Sequence, residues 1–405
     1  MRILFLLTQD LESPSGLGRY WPLARQLSRL EQQISVVALH PDFANLCEKQ
    51  SMIEGVSVNY VAPMHVMKSG SEKKYYKSGK LFHITAQATW QLGKISLLTP
   101  ADLIHIGKPH PMNSLAAMAG RFFHGRHVYV DCDDFEAASG RFSSGWQKTA
   151  VAGFEKWTPR QARAVTTNTF FMRNQLISWG TSPEQIYYLP NGIDRERFSE
   201  NNIDQVTRLR SELGLEHKQV VIYIGSLSLP SHPVNLLLEA FPEILNSHPN
   251  AVLLLVGGGE DQLTLKNLAQ RLGIESAVRF IGRVAPDQVP DYYRLADVSV
   301  DPVYDDAAAR GRCPLKLFES WACGVPFVTA DVGDRRILLG NPPAGLLSQP
   351  GDPVSLASAI TQGLRQPELA TPLIQSGKKR VENYYWDILA QDLLDFYLTN
   401  ELRPS

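Results

Sequence analysis

Short apolar runs alternate along this chain with longer stretches whose apolar residues recur at three- and four-residue spacing. The runs at 3–7, 34–39, 56–61, 103–106, 128–130, 164–167 and 186–189 are apolar at nearly every position. That pattern predicts strands of a parallel sheet covered by helices on both faces. Amphipathic stretches between them, such as 17–30 and 114–123, predict the covering helices. The rhythm repeats in the second half, with strands at 220–224, 252–256, 278–281, 298–300 and 326–329. Helices are predicted there at 234–245, 262–272, 289–295, 314–322 and 353–364. A break falls at Leu189-Pro190-Asn191-Gly192, a turn-rich tetrapeptide followed by a polar stretch. The expectation is an α/β chain of two Rossmann-like domains, 1–190 and 191–385, followed by a terminal helical segment, 386–405.

The length of 405 residues suits two domains, and 44% hydrophobic with 20% charged residues is a globular composition. A net charge of -1 argues against a nucleic-acid partner. Cys47, Cys132, Cys313 and Cys323 are scattered without metal-ligand spacing, so reduced thiols and a cytoplasmic location are expected. The first apolar run stops at Leu7 before polar residues, which suggests a strand and not a leader. No run approaches the roughly 20 apolar residues of a membrane span. One stretch is basic: Lys68, Lys73, Lys74, Lys77 and Lys80 face the single acid Glu72. It reads either as a solvated loop or as a patch for an anionic membrane surface, peripheral to its inner face. The next segment sets Leu81, Ile84, Ala88, Leu92 and Ile95 at helical spacing, with Phe82 and Trp90 off that stripe.

Four places offer chemistry. Gly16 and Gly18 sit between the first strand and first helix, as a structural turn or as an anion contact. Gly257-Gly258-Gly259 follows a strong strand, as a tight turn or a nucleotide-facing loop. Arg310, Arg312 and Lys316 cluster about a helix opened by Pro314 and closed by Gly324. Lys316 and Glu319 lie three apart there, either as an exposed ion pair or as part of a cationic helix start suited to a diphosphate. Finally, Asp131, Asp133, Asp134 and Glu136 end an apolar strand. Such acids must be solvated, paired or used: as a helix N-cap, a general base, a sugar ligand or a divalent-cation site.

Five stretches in order, at 188–194, 236–241, 254–259, 280–284 and 317–326, resemble the large family 4 of retaining glycosyltransferases. That resemblance implies the GT-B fold, two facing Rossmann-like domains with parallel sheets and an interdomain cleft. It implies transfer, with retention, from a UDP- or GDP-sugar to a hydroxyl of a glycan, lipid or small-molecule acceptor, without an obligatory metal or other cofactor. The terminal segment from Trp386 resembles the family's helix that crosses back to the first domain. The implied donor-binding residues are Gly16, Gly18, Gly225, Gly258, Arg283, Val284, Arg310, Gly311, Cys313 and Glu319, with Glu319 on the ribose. The catalytic candidates are Asp133, Asp134, Lys316 and Arg312. Two departures stand out. Gly311 replaces the first glutamate of the family's E-x7-E motif, and the stretch after the first strand of the second domain lacks the usual Arg and Lys. Arg312 and Lys316 are expected to compensate, with His232 a weaker candidate. The rival readings are a GT-B epimerase or phosphorylase, and a catalytically silent nucleotide-sugar binding protein.

Overall fold

The computed structural model describes residues 1–13, 15–69, 72–76, 78–140, 142, 144–199, 202–365 and 367–401. Two compact units form. The first comprises Met1–Gly192, Gly311–Cys313 and Trp386–Ser405; the second comprises Ile193–Arg310 and Pro314–Tyr385.

In the first unit the strands are β1 Arg2–Leu7, β2 Gln33–His40, β3 Gln50–Ile53 and β4 Val56–Pro63, then a separate hairpin of β5 Val66–Ser69 and β6 Glu72–Tyr75. After these come β7 Leu103–Gly107, β8 His127–Cys132, β9 Ala164–Thr167 and β10 Ile186–Tyr188. The main sheet runs in the order β10-β9-β8-β7-β1-β2-β4-β3. All neighbours are parallel except β3, which returns on β4 through Glu54 and Gly55, both at positive φ. That is the geometry of a two-residue hairpin whose twist matches its strands. The strands β1, β7, β8 and β9 are buried on both faces. On one face Phe5, Val36 and Tyr129 pack with Leu23 and Leu27 of helix Trp21–Arg29 and with Leu389, Leu393 and Tyr397 of helix Trp386–Glu401. On the other, Leu4, Leu6 and Ile104 meet Ala88 and Leu92 of helix Ser78–Leu98 and Ala116 and Ala117 of helix Pro111–His124.

The second unit holds β11 Gln219–Ile224, β12 Ala251–Val256, β13 Val278–Gly282, β14 Val298–Asp301, β15 Phe327–Ala330 and β16 Leu346–Ser348. They form one parallel sheet, β13-β12-β11-β14-β15-β16. Its core gathers Tyr223, Leu237, Phe241, Leu253, Leu255, Val300 and Ile360.

Every strand predicted from the apolar runs forms. β3, β5, β6 and β16 were not predicted, being polar, short or at an edge. The basic stretch is correspondingly not a loop: its backbone pairs Val66 with Tyr75 and Ser69 with Glu72. Lys77 lies outside the described residues, as do the side chains of Lys68, Lys73 and Lys74; Lys80 stands over the Tyr76 ring at 5.2 Å. Among the described residues, no helix is long and apolar enough to cross a membrane.

Candidate functional site

Each sheet reverses its winding beside its first strand. The chain steps from β1 to β2 on one side and later to β7 on the other; likewise β11 is flanked by β12 and β14. Loops leaving the carboxyl ends diverge at such a switch point and open a crevice for ligands. Polar side chains concentrate there in both units.

In the first unit, β7 runs into Lys108, whose φ of 70 is unusual for a side chain with a Cβ. Asn113 holds this turn by donating to the carbonyls of Gly107 (2.8 Å) and Lys108 (2.9 Å). The strained turn aims the Lys108 ammonium at Asp133 (3.3 Å), Asp134 (2.8 Å) and Glu136 (2.5 Å). His110 Nε2 lies 3.0 Å from the other Glu136 oxygen, and His110 Nδ1 lies 2.9 Å from Thr8 Oγ1 at the end of β1. Burial opposes the charge of Glu136, yet Lys108 and His110 hold it well below the ordinary glutamate range. For Asp133 burial wins, aided by repulsion from Asp134 and Asp131, and its carboxyl is pushed up to about 7. Behind it, Glu155 accepts from the Glu136 and Ala137 amides; burial and the Glu136 charge raise it to about 8.

Asp131 does something else. It lies fully buried against Arg19, with Nε–Oδ2 at 2.6 Å and Nη2–Oδ1 at 2.7 Å, and accepts from Thr166 at 2.6 Å. Arg19 in turn donates to the carbonyls of Leu189 and Pro190 and to Asn191 Oδ1, fastening the predicted turn. The acid run is therefore paired, not solvated. The N-cap alternative fails, since the helix Glu136–Ser139 is capped by Phe135 without a side-chain bond. Although Asp133, Asp134 and Glu136 are close enough to share a cation, the Lys108 ammonium already reaches all three. Gly16 is a packing glycine here: a Cβ would stand 2.1 Å from the Asp10 carbonyl, and its amide donates to Ser13 Oγ. Gly18 follows in the same π-helical turn, Gly16–Tyr20.

In the second unit, the carboxyl ends of β11 and β14 present Gly225 and Asp301. Lys316, on helix Leu315–Ala322, binds Asp301 Oδ1 at 3.1 Å and stands 5.1 Å from the centre of the Tyr223 ring. A Cβ on Gly225 would lie 3.0 Å from Lys316 Cε, so the bare backbone makes room for the lysine. Arg335 takes the other Asp301 oxygen at 3.2 Å. Burial opposes ionisation of Asp301, but Lys316, Arg335 and His232 hold it well below the usual range. Glu319 accepts from Arg197 (3.2 Å) and the Tyr293 hydroxyl (2.9 Å), so Lys316 and Glu319 are not an ion pair.

One expectation needs correction: Arg310 does not supply a free guanidinium to the cationic helix start. Arg310 is exposed and bound bidentately to Asp305, and Arg312, with Gly311 and Cys313, groups with the first unit. The Cys313 carbonyl accepts from Asn191 there. Pro314 precedes the helix as its cap, and Gly324 at φ 68 ends it as expected. Gly258 lies under Arg283, whose Nε is 3.1 Å from a Cβ built there; Arg283 is exposed and Val284 half-buried. Lys108, His110, Arg19, Asp301, Arg335, Arg197 and Tyr293 were missed. The usable signal was position: Lys108, His110 and Asp301 lie at or directly after strands that neighbour the first strand of their sheet.

The profile described as Glycosyltransferase Family 4 matches residues 15–197, and the one described as Glycosyl transferases group 1 matches residues 205–380. A D-inositol 3-phosphate glycosyltransferase of Acidothermus cellulolyticus is 30% identical over 247 residues, 58% of this chain and 53% of that protein. The chain spans about half the length of the curated relatives it matches. In structure it is similar to sucrose-phosphate synthase of Thermosynechococcus elongatus (TM-score 0.80, 19% identity, 98% and 99% of the two chains). It is also similar to the Anabaena protein HepE solved with UDP (TM-score 0.72, 20% identity, 98% and 100%). These likenesses extend over both units, and the fold they share is GT-B.

Proposed function

From the premise that this chain is a family 4-like glycosyltransferase of the GT-B fold, we propose that it transfers a sugar from a UDP-sugar to an acceptor hydroxyl with retention of configuration. The observation that carries the reading is Lys316, held by Asp301 at the switch point of the second sheet, one helical turn before Glu319. Lys316 and the amides opening its helix meet the donor diphosphate. Glu319, whose two oxygens retain acceptor capacity beside Tyr293 and Arg197, takes the ribose hydroxyls. The bond from C1 to the β-phosphate oxygen breaks, a bond from C1 to the acceptor oxygen forms on the same face, and the acceptor's proton passes to the departing diphosphate oxygen. Stabilising the departing diphosphate supplies most of the barrier lowering, and the scheme needs no divalent metal. Asp133, with its carboxyl near 7, can hold or release a proton at neutral pH, and Asp134 beside it meets sugar hydroxyls. Structures of HepE with UDP and with UDP-glucose support the choice of donor.

The test is transfer from a panel of UDP- and GDP-sugars, with the product anomer read by NMR. Lys316→Ala is expected to lower kcat by roughly 10²–10³ while changing UDP affinity far less. Wild-type turnover in that variant, or an inverted product, overturns the assignment. Gly311, standing where the family has a glutamate, favours a second reading: a binding protein that holds UDP-sugars without turning them over. Saturable UDP-sugar binding with no release of UDP, across all acceptors, would establish it.

A further inference from the structure

Resting on the reading above, we infer that the acceptor is lipid-linked and that its hydrocarbon tail lies in an apolar groove of the first unit. The groove runs among helices Ser78–Leu98, Pro111–His124 and Gly145–Gln161 and has a volume of about 1380 Å³. That exceeds the roughly 300–1,000 Å³ of ordinary small-molecule sites. Its walls are mainly apolar, with Leu81, Leu97, Met112 and Leu115 among them, and the hydroxyls of Thr85 and Thr89 between them donate back to carbonyls of their own helix. One end is polar: His110 and Glu136, members of the charged cluster at the β1–β7 switch point, also line it.

This distribution selects the occupant. A sugar or peptide in the groove would leave hydroxyl or amide groups against apolar walls, each costing free energy without a partner. A hydrocarbon chain has no such groups, and a molecule that is polar at one end alone sets its head at His110 and Glu136. The rim supports the same choice. Trp90 and Phe82 are 72% and 69% exposed, too much apolar surface on one helix to be incidental. The helix that carries them has Lys80 and Lys94 and no acid. Exposed tryptophan beside lysine is the composition of a surface that meets anionic lipid.

Gly93 supplies the test. It lines the groove, and a Cβ built on it meets nothing within 4 Å. Gly93→Trp should therefore set an indole into the groove, and replacing a helical glycine favours folding; thermal melting checks this. The probe is a dansyl-tagged undecanoate. The wild-type chain is expected to bind it, to release it to dodecyl glucoside but not to methyl glucoside, and to lose at least tenfold in affinity in Gly93→Trp. With alkyl glucosides as acceptors, kcat/KM should rise by up to about fourfold per added methylene, and Gly93→Trp should flatten that rise. The inference is overturned by no probe binding, by equal binding in the folded variant, or by displacement through self-association of the chain on ultracentrifugation. It is equally overturned by transfer that ignores chain length, which leaves the reaction standing. Probe binding with no transfer from any nucleotide sugar upholds the groove and defeats the reaction.

Discussion

Asp131 and Asp133 are two residues apart, both buried, and their surroundings drive them in opposite directions. Asp131 has a guanidinium on both oxygens and a threonine hydroxyl besides, so its charge is compensated. Arg19→Met would leave that carboxylate dry and unpaired, a loss of about 3–5 kcal/mol that urea denaturation should detect. Asp133 shares one ammonium with two other acids, and its carboxyl sits at about 7, above the ordinary 3.8. The folded state thus keeps a proton that the unfolded chain releases, and the residue's contribution to stability falls as pH rises from about 4 to about 7. Asp133→Asn removes that dependence, so its melting temperature should gain on the wild type between pH 5 and pH 7. The run of acids was legible as something to be compensated. Its compensators were not, since Arg19 and Lys108 come from distant segments that only the tertiary fold joins.

Among elements, strands were the most legible, because a sheet buried on both faces writes itself as uninterrupted apolar residues. Strands that are half-exposed or made mostly of polar residues, such as β3 and the β5–β6 hairpin, carry no such mark. The loops at the carboxyl ends were legible as glycines, and the structure gives the reason. At Gly257 the φ is 137, and a Cβ would lie 1.9 Å from the Gly225 carbonyl oxygen. Two loops therefore cross backbone on backbone beside Lys316. Gly257→Ala should cost about 3 kcal/mol or more in denaturant unfolding, with UDP affinity falling in parallel. The helix start at Pro314 was legible too, but the charges around it were not. Arg310 could be counted from the sequence, whereas its capture by Asp305 could not.

At the scale of the molecule, the first unit is built from three separated pieces of chain, and the last of them completes its core. Helix Trp386–Glu401 lays Trp386, Leu389, Leu393 and Tyr397 against one face of the first sheet, with Trp386 6.0 Å from the Arg19 guanidinium. Each such side chain contributes roughly 1.5–3 kcal/mol of burial. A chain stopped after Tyr385 should show fast hydrogen exchange in β1, β2 and β7, while β11 and β12, whose core shares none of these residues, keep their protection. Synthesis meets the same dependency. A ribosome finishes the first sheet, then makes all of Ile193–Tyr385 before the sealing helix emerges, a delay on the order of 10–40 s at 5–20 residues per second. Throughout that interval Tyr20, Leu23 and Leu27 lack the cover of that helix, so the domain that is translated first is the last to be completed.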